Sequence, residues 1–135
     1  VGLALLGTLF FWRVTGRLNS ANPADIALLA VLISIVTSRV LSPQYMVWVF
    51  GLLAVSAFKP QQNFKKISIL ICISAGIGQV IYPWWYLSLQ QGGVHAVAAH
   101  AIRILTLLWA TSIAWNNLRV VSQKNPSQIA IHPTS

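Results

Sequence analysis

Two arginines and one histidine interrupt apolar stretches of this sequence, and they are its strongest chemical signal. Arg39 lies in a polar segment between two apolar runs, and Arg103 and His100 lie inside a later apolar run. A charge at membrane depth is costly and usually faces a cavity or a partner. A guanidinium binds phosphate bidentately, so the two arginines predict a phosphate site. The alternatives are that Arg39 extends to the membrane surface and that Arg103 pairs with a carboxylate outside this sequence.

His100 is three residues before Arg103, so the two share one helical face. We expect His100 to donate or accept a hydrogen bond with a polar ligand; the alternative is an interior histidine satisfied by the protein. His95 points elsewhere, so no metal site is predicted. Cys72 is the only cysteine, which excludes a disulfide within the chain and a cysteine-based metal site.

Asp25 is the only acidic residue. It lies in the first turn of a predicted helix, where the helix dipole favours an anion, and across the predicted membrane from the arginines. This position gives Asp25 a structural explanation, so we predict no catalytic residue and no cofactor in this chain. An enzyme containing it would take its acid–base carboxylate from elsewhere.

The composition predicts a membrane protein. The chain is 56% hydrophobic and only 7% charged, whereas soluble domains carry about 25% charged residues. Its net charge of +8 does not indicate nucleic-acid binding, because the cations lie between apolar segments rather than along one face. We predict an all-α, multi-pass transmembrane helix bundle with four full spans and a truncated first span.

The predicted spans follow from the apolar runs. The second span has a clear start, with Asn22 as N-cap and Pro23 at the first helical position. The first run is too short to cross a bilayer, so we expect the chain to begin inside a helix and to be a C-terminal fragment. Residues 1–118 form the predicted transmembrane domain, and residues 119–135 a disordered cytoplasmic tail. The spans cover residues 1–12, 24–37, 45–58, 67–85 and 94–115.

Two further patterns concern packing. Ser74 and Gly78 give the fourth span a small-residue face for close helix contact. Trp48 fits either core packing or the wall of a ligand groove.

The basic residues predict an orientation. If the 13–23 loop is cytoplasmic, the 59–66 loop and the tail must be cytoplasmic too. Seven of the nine basic residues then lie inside, as the positive-inside bias requires, and only Arg39 and Arg103 lie towards the outside. The seven are Arg13, Arg17, Lys59, Lys65, Lys66, Arg119 and Lys124.

The polar segment between the second and third spans continues into a recognisable motif. Ser42, Pro43, Gln44 and Tyr45, with Trp48 three residues later, resemble the Ser-Pro-Gln-Tyr-x-x-Trp signature of polyprenol-phosphate-mannose-dependent mannosyltransferases. These are multi-pass membrane glycosyltransferases of the GT-C type. The motif covers under a tenth of the chain, and the order of helices around it is also similar.

The resemblance implies transfer of a mannosyl unit from a polyprenyl-phosphate donor to a glycolipid or glycan acceptor, on the outer side of a bacterial cytoplasmic membrane. It implies that Ser42, Gln44 and Tyr45 line the substrate cavity. Arg39 and Arg103 would then hold the donor phosphate, with His100 also lining the cavity; for Arg103 and His100 this follows from the predicted topology. The family uses an acidic residue on an early extracytoplasmic loop, which this sequence does not contain.

Other functions remain open. A proline-broken helix beside an arginine also suits a transporter or a lipid-binding subunit. A structural assembly factor would tolerate substitution of Arg39 and Arg103.

Overall fold

The computed structural model describes residues 2–38 and 44–129, which form helices joined by short turns and contain no strand. The all-α prediction is therefore confirmed over these ranges. The helices are α1 (Gly2–Val14), α2 (Pro23–Thr37), α3 (Tyr45–Ser56), α4 (Phe64–Val80), α5 (Tyr86–Gln90) and α6 (Val94–Ile129), with a π-helical turn at Ile81–Trp85 between α4 and α5.

α2 begins where the sequence predicts. Asn22 is extended, and its side chain accepts a hydrogen bond from the backbone N–H of Ala24 at 3.1 Å. Pro23 occupies the first helical position, where its missing N–H costs nothing. At the other end Ser38 is extended and donates its N–H to the carbonyls of Ser34 and Ile35. The helix thus ends immediately before residues 39–43, which lie outside the described residues.

The segment predicted as one span over residues 67–85 differs from that expectation. α4 begins earlier, at Phe64, and gives way at Ile81 to the π-helical turn. Pro83 lies in this turn and has no backbone N–H, so it cannot make a regular α-helical hydrogen bond there. A local widening accommodates such a residue.

α6 also differs from the prediction, because it continues past residue 118 to Ile129. Residues 119–129, predicted as disordered tail, are therefore helical. The buried side chains of α6 recur at intervals of three, four or seven residues, which places them on one face. They include Ala96, Arg103, Leu107, Ala110, Ala114 and Leu118.

Neighbouring helices run antiparallel, with α2 at the centre. α2 packs against α1, α3 and α6, and α6 packs along α4. α1 and α2 approach so closely at one end that a Cβ on Gly2 would lie 2.5 Å from Thr37 Oγ1. At the other end of α1, the rings of Trp12 and Trp115 lie 5.3 Å apart.

The antiparallel packing gives the molecule two ends. The basic end comprises the loops at residues 15–22 and 57–63 together with residues 117–121 of α6, because residues of all three line one cavity. The break end comprises Ser38, the start of α3, and the π-helical turn with α5.

Of the described helices, only α6 is long and apolar enough to cross a membrane by length and composition. Its Val94–Gln123 portion has a window with mean hydropathy 1.5, and only 22% of that window is buried. α1, α2 and α3 are apolar but shorter, at 10–17 residues. Large apolar side chains are exposed along several helices, including Leu3, Phe10, Trp48, Ile69 and Trp109.

Candidate functional site

The predicted site residues fall on two pairs of helices. Gln44 is the N-cap of α3 and Tyr45 its first residue, beside the end of α2. His100 and Arg103 lie on α6, beside α4. Arg39 and Ser42 lie outside the described residues. The predicted convergence of Arg39 with Arg103 therefore stays a prediction.

A groove of about 410 Å³ lies between α2 and α3 at the break end. Tyr45 and Trp48 of α3 form one wall. Residues of α2 form the other wall, together with Ser38 just after the end of that helix. The side chain of Trp48 is 71% exposed. Of the two roles expected for Trp48, the structure thus supports the wall of a groove and not core packing.

Gln44 immediately precedes Tyr45, one of the residues that line this groove. Its side chain is exposed and makes no capping hydrogen bond, while its carbonyl accepts one from Val47 N–H at 3.2 Å. The side chain of Gln44 is therefore accessible to a ligand, and its assignment to substrate binding stays a prediction.

Arg103 is buried between α6 and α4, with 4% of its surface exposed. The Ser74 hydroxyl donates a hydrogen bond to the Arg103 carbonyl at 3.4 Å. Gly78 provides room for the guanidinium, because a Cβ at Gly78 would lie 3.1 Å from both Cζ and Nε of Arg103. Ser74 and Gly78 are both buried, so the predicted small-residue face of α4 is confirmed, and Arg103 lies against it.

His100 lies about one turn before Arg103 on the same side of α6, half-buried. Its Nδ1 is buried and has no hydrogen-bond partner within the described part of the chain. This nitrogen can therefore bond to a ligand or a water molecule. His95 is exposed, and no three histidine, cysteine or acidic side chains among the described residues come together to hold a metal ion.

The packing places Arg103 at the break end of the molecule. Thr37, at the end of α2, lines one cavity with Leu108 and Ser112 of α6. Arg103 precedes Leu108 by five residues, or about 7.5 Å of helix, in the direction of α5. Arg103 therefore lies slightly beyond the level at which α2 ends.

Asp25 has a more buried position than the sequence indicates. It lies in the first turn of α2, as expected, but only 5% of its surface is exposed. The hydroxyl of Ser56, a fully buried residue at the end of α3, lies beside its carboxyl group. A lone serine near the end of an apolar helix is the only sequence signal for this pairing, and it does not identify its partner.

Asp25 and Arg103 lie at opposite ends of the molecule. Asp25 lines the cavity at the basic end with Asn117, which follows Arg103 by fourteen residues, or roughly 21 Å of helix. The single acidic side chain of this sequence therefore cannot form an ion pair with Arg103, and it cannot act as a base beside Arg103.

The break end thus combines an exposed aromatic groove with a separate buried guanidinium and a half-buried imidazole. A guanidinium in a low-dielectric setting stabilises an anion strongly. An apolar groove suits the hydrocarbon part of a ligand.

Comparisons with protein-family models, curated proteins and solved structures found no match for this chain.

Proposed function

We propose that the chain is part of an integral-membrane glycosyltransferase that moves a mannosyl unit from a polyprenyl-phosphate donor to an extracytoplasmic glycolipid or glycan acceptor. The burial of Arg103 at the break end is the observation that carries this proposal. It adds a guanidinium, a group that can bind phosphate, at the end of the molecule where Gln44, Tyr45 and Trp48 of the motif lie.

The proposal includes a multi-pass bundle in the bacterial cytoplasmic membrane, with four spans and a truncated first one. The exposed apolar surface supports this placement, because soluble monomers rarely expose large contiguous apolar patches. The low burial of α6 supports it too, since an apolar core helix of a soluble domain would be mostly buried.

The short length of α2 indicates how deep in the membrane the proposed donor site lies. Its fifteen residues cover about 22 Å, less than the bilayer core of about 30 Å. The chain therefore leaves regular helix at Ser38 before the outer membrane surface. Backbone that is not helical at that depth, as at the extended Ser38, must line a cavity or be buried in protein, and we expect a lipid-phosphate donor to enter there.

In the proposed reaction the bond between the anomeric carbon of mannose and the phosphate oxygen breaks, and the acceptor hydroxyl bonds to that carbon. Negative charge builds on the departing phosphate, so a fixed guanidinium stabilises the transition state more than the ground state. Arg103, with Arg39, would supply this stabilisation, and His100, Ser42, Gln44 and Tyr45 would hydrogen-bond the substrate. The acceptor proton goes to a base elsewhere in the protein.

The test is sugar transfer by the full-length protein in native membranes, with radiolabelled polyprenyl-phosphate-mannose as donor. We expect Arg103→Gln to lower the rate by about 10²–10³-fold, the usual loss when one transition-state donor is removed. Arg39→Gln should behave similarly. Arg119→Gln, on the same helix but exposed at the basic end, is the matched control and should transfer normally.

Protein abundance is measured in the same membranes. Normal transfer by both Arg39→Gln and Arg103→Gln at normal abundance would overturn the phosphate-site proposal. A full-length protein that never uses this donor would instead favour a transporter or a lipid-binding subunit.

A further inference from the structure

A second polar site lies at the basic end of the molecule, far from Arg103. It is a cavity of about 540 Å³ between the loop preceding α2, the loop following α3 and residues 117–121 of α6. The proposed sugar transfer uses none of its side chains. Its polar lining includes Asn19, Asn22, Asp25, Lys59, Gln61 and Asn117.

Asp25 gives this cavity a buried hydrogen-bond acceptor. The residue is 5% exposed and lines the cavity. Its Oδ1 atom is buried and accepts no hydrogen bond from the described residues. The Ser56 hydroxyl lies beside the same carboxyl group but makes no hydrogen bond to Oδ1. A buried carboxylate oxygen without a donor is costly, so a donor from outside the chain would stabilise it.

Gln61 gives the cavity a buried donor. Its Oε1 accepts a hydrogen bond from Asn117 Nδ2 at 3.0 Å, and the same Asn117 group also donates to the Gln62 carbonyl. These bonds fix the orientation of the Gln61 amide. Its Nε2 is buried and has no acceptor within the described part of the chain.

These two atoms restrict the class of ligand. A bare cation would satisfy the Asp25 oxygen but not the Gln61 N–H, and a simple anion would do the reverse. A ligand that carries both an N–H donor and an anionic oxygen satisfies both groups. Lys59 is exposed and lines the same cavity, so it adds a positive charge for the anionic part.

We propose that this cavity binds a phosphoethanolamine group, the headgroup of phosphatidylethanolamine. The ammonium group donates to Asp25, and the phosphate accepts from Gln61 and Lys59. The surroundings fit a membrane lipid, because Phe58, next to Lys59, is 88% exposed and Val120 in the cavity wall is 47% exposed. Acyl chains can cover such apolar groups. This inference uses the membrane placement given above, but it does not depend on the transferase activity.

The experiment compares lipids retained by the full-length protein. Purified protein in detergent is mixed with equal amounts of phosphatidylethanolamine, phosphatidylcholine and phosphatidylglycerol with identical acyl chains, and bound lipid is measured by native mass spectrometry. Phosphatidylcholine has no N–H donor and phosphatidylglycerol has no ammonium group. We expect at least about tenfold preferential retention of phosphatidylethanolamine, because a charge-assisted hydrogen bond contributes on that scale.

Asp25→Asn should reduce that preference at least about fivefold, because only phosphatidylethanolamine carries the ammonium group that Asp25 accepts. Lys59→Gln should lower the retention of phosphatidylethanolamine at least about fivefold and should lower that of the other two lipids as well, because all three carry the phosphate. Lys59 is exposed, so its replacement leaves a folded protein even if Asp25→Asn does not. Lys66→Gln is the matched control, because Lys66 belongs to the neighbouring basic surface but does not line this cavity. It should keep both the full retention of phosphatidylethanolamine and the full preference.

Soluble phosphoethanolamine distinguishes the two sources of the headgroup. Displacement of bound phosphatidylethanolamine by it supports the proposal, whereas binding of the soluble compound without lipid retention overturns the lipid source. Equal retention of the three lipids by the unmodified protein, or unchanged retention of phosphatidylethanolamine by Lys59→Gln, overturns the site itself and leaves a water-filled cavity. Sugar transfer is measured on the same preparations, so a failure of the proposed function is recorded separately.

Discussion

Arg103 and Gly78 show how a single glycine positions a charge. The guanidinium lies against α4 at Gly78, which has no side chain to hold it away from the helix backbone. Neither residue alone gives this arrangement. Arg103 needs a partner helix without a Cβ at that level, and Gly78 needs a long side chain to fill the gap.

Gly78→Ala should displace the Arg103 guanidinium by a few tenths of an ångström, because the new Cβ would lie 3.1 Å from Cζ. If Arg103 binds the donor phosphate as proposed, sugar transfer by the full-length protein should fall by roughly tenfold or more, since small misplacements of a group that stabilises the transition state are costly. Gly76→Ala is the control, because Gly76 is exposed and a Cβ there meets nothing within 4 Å.

The stabilities of the same two variants can be compared by reversible denaturation in detergent micelles. Gly76→Ala should gain up to about 1 kcal/mol from the better helix propensity of alanine. Gly78→Ala should be less stable than Gly76→Ala by about 1 kcal/mol or more, the lower end of the cost of overpacking. Equal stability and equal transfer in the two variants would show that the guanidinium is not held against Gly78.

At the scale of the element, helix ends decide where the break and the site can lie. α2 begins at a capped, proline-marked start and ends at an extended Ser38. The α4 segment ends differently, in a π-helical turn that contains Pro83. The end of α2 and the π-helical turn both lie at the break end. Regular helical hydrogen bonding is therefore interrupted at the end of the molecule where we propose that substrate binds.

Replacement of the N-cap residue tests the start of α2. Asn22→Ala should lower the free energy of unfolding by about 1 kcal/mol, because the Ala24 N–H loses its acceptor. Asn63→Gly is the matched control: Asn63 precedes α4 with φ of 60° and makes no capping bond through its side chain. Glycine adopts this conformation readily, so Asn63→Gly should be neutral or slightly stabilising. Chemical denaturation of both variants measures the difference, and an equal loss in both would argue against the cap.

At the scale of the whole molecule, the antiparallel bundle separates charge. Arg13, Arg17, Lys59 and Arg119 are exposed on or next to the segments that form the basic end. Arg103 is buried towards the other end. The orientation predicted from the sequence, in which the basic end faces the cytoplasm, stays a prediction.

Labelling of single cysteines in intact cells tests this orientation. In a Cys72→Ser background of the full-length protein, Gln91→Cys at the break end should react with a membrane-impermeant maleimide. Gln62→Cys at the basic end should react only after the cells are permeabilised. Both positions are exposed, so accessibility within the fold does not limit the reaction. Labelling of Gln62→Cys alone in intact cells would reverse the orientation and place Arg103 towards the cytoplasm.

The sequence by itself determined the features that arise within one segment. The all-α class, the start of α2 at Asn22 and Pro23, and the small-residue face of α4 depend on local caps, apolar runs and spacing. The same local reasoning ended the last helix too early, because the polar residues after residue 118 reduce hydropathy without breaking a helix. It also missed the π-helical turn, although Pro83 marks the place.

Only the tertiary structure decided which residues of different helices meet. The pairing of Asp25 with Ser56, the placement of Arg103 over Gly78 and the cavity between three segments at the basic end depend on the register between antiparallel helices. The helices here are apolar around most of their circumference, so hydrophobic periodicity does not identify the face that packs. Register is set by contacts between side chains distant in sequence, and for that reason the buried acid and its cavity become visible only once the helices are assembled.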